Sequence, residues 1–99
     1  MLLIIGTIRL PPERLEAARP AMERMISASR AEPGCLAYSY AQDVLDAGLV
    51  RVSEAWRDRA SLDAHFKSAH IAAWRASWSE LGIGDRNLVL YETEEGAPT

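Results

Sequence analysis

Residues 49–81, LVRVSEAWRDRASLDAHFKSAHIAAWRASWSEL, change their hydrophobic period partway along, and that change decides the fold. Up to position 57 the pattern alternates: Val50, Val52, Glu54 and Trp56 fall on one face and Arg51, Ser53 and Ala55 on the other. This predicts a half-buried strand over 49–57. Asp58 can cap a short helix over 60–67, with Leu62, His65 and Phe66 on one stripe. After a break near Ser68, a second helix over 70–81 carries Ile71, Trp74, Trp78 and Leu81 at helical spacing.

The flanking sequence supplies the partners such a unit needs. Residues 2–10 are mostly apolar and β-branched up to Pro11-Pro12, which stop a ladder and suit a helix start. The run 13–30 then places Leu15, Ala18, Met22, Met25, Ile26 and Ser29 on one helical face. Pro20 inside it removes a backbone bond and predicts a kink. Glu32-Pro33-Gly34 ends that helix, and 35–43 reads as a strand with Leu36, Tyr38 and Tyr40 on one face. Asp46-Ala47-Gly48 makes a turn, Gly82 and Gly84 end the last helix, and 87–93 is a fourth strand before a tail that frays from about 94.

The order βαββααβ predicts one α+β domain over 1–99, of ferredoxin-like topology. Right-handed crossovers fold it into a four-stranded antiparallel sheet with the helices on one face. Several strands carry apolar residues on both faces, so the uncovered face calls for a partner. A second copy is the simplest one, and a homodimer is expected.

Composition narrows the function classes. With 99 residues, 48% hydrophobic, 25% charged and a net charge of −3, the chain is that of an ordinary globular protein. Its basic residues are scattered and never interleave with exposed aromatics, so no nucleic-acid partner is expected. The apolar start is far too short to span a bilayer and lacks a basic n-region, so no membrane partner is expected either. Cys35, the only cysteine, allows no internal disulfide or multi-cysteine metal site and fits the reducing cytoplasm.

Glu54-Ala55-Trp56-Arg57-Asp58, then Ala60-Ser61-Leu62, then His65-Phe66-Lys67-Ser68-Ala69-His70, resembles the antibiotic biosynthesis monooxygenase family, as does Glu32-Pro33-Gly34-Cys35-Leu36 with Tyr38. The match is best to its quinol-monooxygenase-like branch. The resemblance implies a dimeric α+β barrel that inserts oxygen into quinols or polyphenols without metal or flavin. The physical logic is that an ionised dihydroxyaromatic itself reduces O2, so the protein need only deprotonate it, hold it and exclude water. Positions where heme-degrading relatives use Asn, Trp and a ligating His fall on Ile8, His65 and Arg75, so heme is not expected. The strand Asn and helix Tyr of the polyketide-tailoring oxygenases fall on Val52 and Leu62.

His65 is the candidate general base; the competing reading is a core histidine satisfied by Glu54 or a backbone carbonyl. Candidate substrate-binding residues are Trp56 and Trp74 as walls, Tyr38 as donor, and Glu54 and His70. Glu54, on an inward face, needs a partner or a raised pKa. His65 and His70 show no third ligand within sequence reach, so no metal site is expected. Two other functions use the same scaffold: a non-catalytic dimeric small-ligand-binding or stress-associated barrel that sequesters a small apolar molecule, and an isomerase or lyase working by proton transfer alone.

Overall fold

The computed structural model describes residues 1–99. The sheet is built from β1 (Leu2–Arg9), β2 (Cys35–Gln42), β3 (Leu49–Trp56) and β4 (Gly84–Glu92), in the order β2-β3-β1-β4 with every neighbouring pair antiparallel. A 3-10 turn at Pro12–Arg14 leads into α1 (Leu15–Arg30); α2 (Arg59–Phe66), α3 (Ala69–Ala76) and α4 (Trp78–Leu81) connect β3 to β4. This is the ferredoxin-like α+β arrangement expected, with each strand boundary within three residues of its expected place.

Period-two burial assigns the faces. Leu2, Ile4 and Ile8 on β1, with Val50, Val52 and Trp56 on β3, are buried under the helices. Ala18, Met22, Met25 and Ser29 bring the inner stripe of α1 onto them. The opposite face is open, with Ile5, Val89 and Tyr91 between 44% and 52% exposed. Gly6 is needed where β1 meets β4, because a Cβ there would lie 1.8 Å from the Asn87 carbonyl oxygen.

Three expectations are corrected. Leu36 is 57% exposed: a bulge between Cys35 and Ala37 leaves it unpaired, so the inner face of β2 reads Cys35, Tyr38, Tyr40. Phe66 lies at the edge of its stripe and is 45% exposed. The helix expected over 70–81 divides at Ser77, whose hydroxyl donates to the Trp74 carbonyl at 2.6 Å. At Pro20 the chain stays helical, and α1 runs through it as one continuous element. No helix is long and apolar enough to cross a membrane.

Candidate active site

The turn Glu32-Pro33-Gly34 and the start of α2 build the site together. Gly34 has φ +84°, and a Cβ there would stand 2.1 Å from Ser61 Oγ, so the turn is pressed against the first turn of α2. Its carbonyl accepts from the Arg57 backbone N–H at 2.8 Å. Asp58 caps α2 as expected, accepting from the Ser61 N–H at 2.8 Å and the Ser61 hydroxyl at 2.7 Å. These hydrogen bonds hold the Asp58 carboxyl down at about 2.

Ser68 fixes the second half of the scaffold. Its hydroxyl donates to the His65 carbonyl at 2.7 Å and accepts from the Ile71 N–H at 3.4 Å, closing α2 and capping α3 at once. The two histidines are thereby brought to one carboxylate. Glu32 Oε2 lies 2.6 Å from His65 Nδ1 and 3.0 Å from His70 Nε2. Bonding to a carboxylate oxygen places the proton on His65 Nδ1 and leaves Nε2, which takes no protein partner, as the free nitrogen. Burial lowers the His65 pKa below its ordinary value, opposed in part by Glu32.

His65 is 2% exposed and sits among aromatic rings, with Trp56 at 4.6 Å and Tyr38 at 5.4 Å between centroids. Trp56 is fully buried, and its Nε1–H donates to Glu54 Oε1 at 3.0 Å. Glu54 is therefore the partner of Trp56, and the partner of His65 is Glu32. Burial raises the Glu54 pKa above its ordinary value, against the hydrogen bond from Trp56 and the charges of Arg86 and Arg75.

One cavity under the helices is lined by Tyr38, Tyr40, Glu54, His65 and Trp74, with Phe66, Arg75, Trp78, Arg86 and Leu88 among the other walls. Four of the six candidate residues thus share it: Tyr38, Glu54, His65 and Trp74. Trp56 packs behind His65, and His70 faces a separate groove between α1 and α3 with Arg24, Met25 and Trp74. The cavity is closed to about 20 Å³, room for about one water. A larger depression of about 380 Å³ lies at Arg9, Pro12, Asp46 and Asp85, but only one of its nine lining residues is hydrophobic. It offers no wall for an aromatic ligand.

Several residues were not legible as site members. Glu32 stands 33 and 38 residues from its histidines, and in the sequence it reads as a turn residue within the family-like stretch 32–38, with nothing to mark it as their partner. Tyr40 lines the cavity beside Tyr38 and its hydroxyl accepts from Trp74 Nε1 at 3.3 Å, while burial pushes the Tyr38 phenol far up. Glu32 also supplies the third donor that the two histidines lacked, since the three ligand atoms lie within 4.8 Å of one another. Their 2.6 and 3.0 Å contacts are hydrogen-bond distances, tighter than the spacing of about 3.3 Å between ligands on a tetrahedral zinc. As they stand, the three groups form a proton network.

The four-stranded antiparallel sheet with its helices on one face places the chain among ferredoxin-like α+β proteins. A family model described as antibiotic biosynthesis monooxygenase matches residues 1–77, and the chain belongs to that family. It is 36% identical over 78 residues to Rv0793 of Mycobacterium tuberculosis, named as a candidate monooxygenase, covering 79% of this chain and 76% of that protein. The solved structure of Rv0793 superposes with a TM-score of 0.82 at 26% identity, covering 98% of both chains. A Deinococcus radiodurans structure described as a candidate antibiotic biosynthesis monooxygenase reaches a TM-score of 0.91 over 100% of this chain and 98% of that one; at 22% identity it speaks for the fold. A Synechocystis protein of undescribed activity is 33% identical over 95% of this chain, which spans only 64% of that relative's length.

Proposed function

We propose that the protein is a cofactor-independent monooxygenase that oxidises a quinol or polyphenol with O2, with His65 as the base. The observation that carries this reading is the Glu32–His65 contact of 2.6 Å. A carboxylate holds one imidazole nitrogen protonated and leaves the other as a lone pair on a residue that lines an aromatic cavity. The lowered His65 pKa keeps that lone pair available at neutral pH.

In the reaction His65 takes a phenolic proton, the phenolate gives one electron to O2, and superoxide recombines with the ring radical. The resulting hydroperoxide loses water. One oxygen atom enters the ring, the other leaves as water, and the substrate supplies both electrons, so no external reductant is needed. Trp74 and Tyr40 wall the ring, and Trp56 fixes His65 from behind. Substrate entry requires the 20 Å³ cavity to open, and the half-exposed Phe66 at its rim can move without disturbing packed core.

The open sheet face, with Ile5, Val89 and Tyr91, takes a second copy of the chain in this reading, and the single free cysteine fits a cytoplasmic location. The experiment is oxygen uptake by metal-stripped protein on a panel of dihydroxyaromatics. His65→Gln should lower kcat by roughly 10²- to 10⁴-fold. No uptake across the panel, or uptake indifferent to His65→Gln, would remove the proposal.

A further inference from the structure

Apart from the free His65 Nε2, the hydrogen-bonding groups left over around the cavity are mainly donors. Of the ten arginines, Arg9, Arg19, Arg51, Arg57 and Arg59 pair with carboxylates, and Arg14 and Arg30 donate to backbone carbonyls. Only Arg24, Arg75 and Arg86 have neither kind of partner, and two of these line the same cavity, one from α3 and one from β4. Trp78, another wall, buries its Nε1–H without an acceptor. Tyr40 accepts the Trp74 indole proton and has its own to give. The one anionic wall, Glu54, is engaged by Trp56 and stands in no ion pair with either arginine. Two guanidiniums around one carboxyl leave positive charge unmatched at the mouth of an aromatic slot.

We infer that the ligand of this cavity is an aromatic acid whose carboxylate docks between Arg75 and Arg86 while its ring lies against Tyr40, Trp74 and Trp78. Planar guanidiniums suit the two oxygens of a carboxylate, and the orphaned indole N–H adds a donor beside the aromatic walls. Both arginines are exposed, so they can swing outward as the slot opens and close on the anion afterwards. The inference rests on the reading of this cavity as the substrate site and adds the substrate's charge, which neither the fold nor the family match supplies.

The test is anaerobic calorimetric titration of the full chain with 2,5-dihydroxybenzoate and with its methyl ester, which keeps the ring and removes the charge. Without O2 there is no turnover, so binding is read apart from activity. The acid should bind at least about tenfold more tightly than the ester. That preference should fall to about twofold or less in the Arg75→Gln/Arg86→Gln protein and persist in Arg24→Gln, which removes the unpaired arginine outside the cavity. An intermediate loss in Arg75→Gln alone gives a second reading from a milder change. Equal affinities for acid and ester, binding of neither, or a preference that survives in the double variant would overturn the inference. If a neutral quinol is oxidised but the acid is not preferred, the oxygenase stands and this inference fails; if the acid is preferred but nothing is oxidised, the reverse holds.

Discussion

In the proposed reaction Glu32 is the residue that governs the base, because it is held 2.6 Å from His65 Nδ1. It opposes the lowering of the His65 pKa by burial. Removing the charge while keeping an acceptor, in Glu32→Gln, should therefore move the His65 titration further down, as read from its imidazole proton by NMR. An unmoved titration would show that Glu32 does not govern the base. Folding stability carries the same signature. A histidine whose folded pKa lies below 6.5 leaves the unfolded chain holding more protons as pH falls below that value. Stability from His65 is thus full above about pH 6.5 and is lost as pH drops through the lowered folded value. Glu54 has the opposite sign: its raised pKa favours the folded state at low pH, a contribution lost as pH rises through its folded value. The two oppose each other in the wild type, so the His65 contribution is read by difference: between pH 7.5 and 5.5 the denaturant midpoint of His65→Gln should lose less, or gain more, than that of the wild type. At this scale His65, Glu54 and Trp74 were legible because inward-facing polar and large aromatic residues stand out against a periodic pattern. Glu32, Arg75 and Arg86 were not, because an acidic turn residue and two exposed arginines look alike whether they face water or a cavity.

The elements were legible nearly throughout, and the exceptions have local causes. Leu36 followed the alternation of its strand, but a bulge at the entry of β2 shifted the face by one residue. No sequence period announces such a bulge. β4 begins at Gly84 instead of 87, because Gly84 pairs with Arg9 across an irregularity that leaves Asp85 and Arg86 outside the ladder. Two substitutions test the packing of elements. Gly6→Ala brings a methyl group against the Asn87 carbonyl and should cost about 1–3 kcal/mol, measured by urea denaturation, by forcing β4 off β1. Ser68→Ala removes the cap of α3 and should cost about 1 kcal/mol. It should also loosen the pairing of His65 and His70 with Glu32, so hydrogen exchange should rise in α3 before the sheet opens.

For the whole molecule, the sheet has one face under helices and one open. Ile5, Val89 and Tyr91 lie together on the open side, where β1 pairs Ile5 with Val89. Ile5 on the interior strand β1 and Val89 and Tyr91 on the edge strand β4 form an apolar patch that is unfavourable in water and that the proposed second copy would cover. Sedimentation should find a dimer at micromolar concentration, and Ile5→Lys with Val89→Lys should give a folded monomer. A wild-type monomer would overturn the self-association. The order of elements, the open face and the family were all open to a reading of the chain, because they depend on periodicity spread over many residues. The closure of the cavity to the space of one water was not, because it depends on how a few side chains meet.

The central claim is that His65, held by Glu32, ionises a phenol within this cavity. A free phenol ionises near pH 10, so at pH 7 its ultraviolet spectrum is that of the neutral form. Mixing the protein without oxygen with a dihydroxyaromatic at pH 7 should produce the phenolate absorption in the bound ligand. His65→Gln should bind the ligand without producing it. A bound ligand that keeps its neutral spectrum in the wild type, or a phenolate band that survives in His65→Gln, would contradict the account.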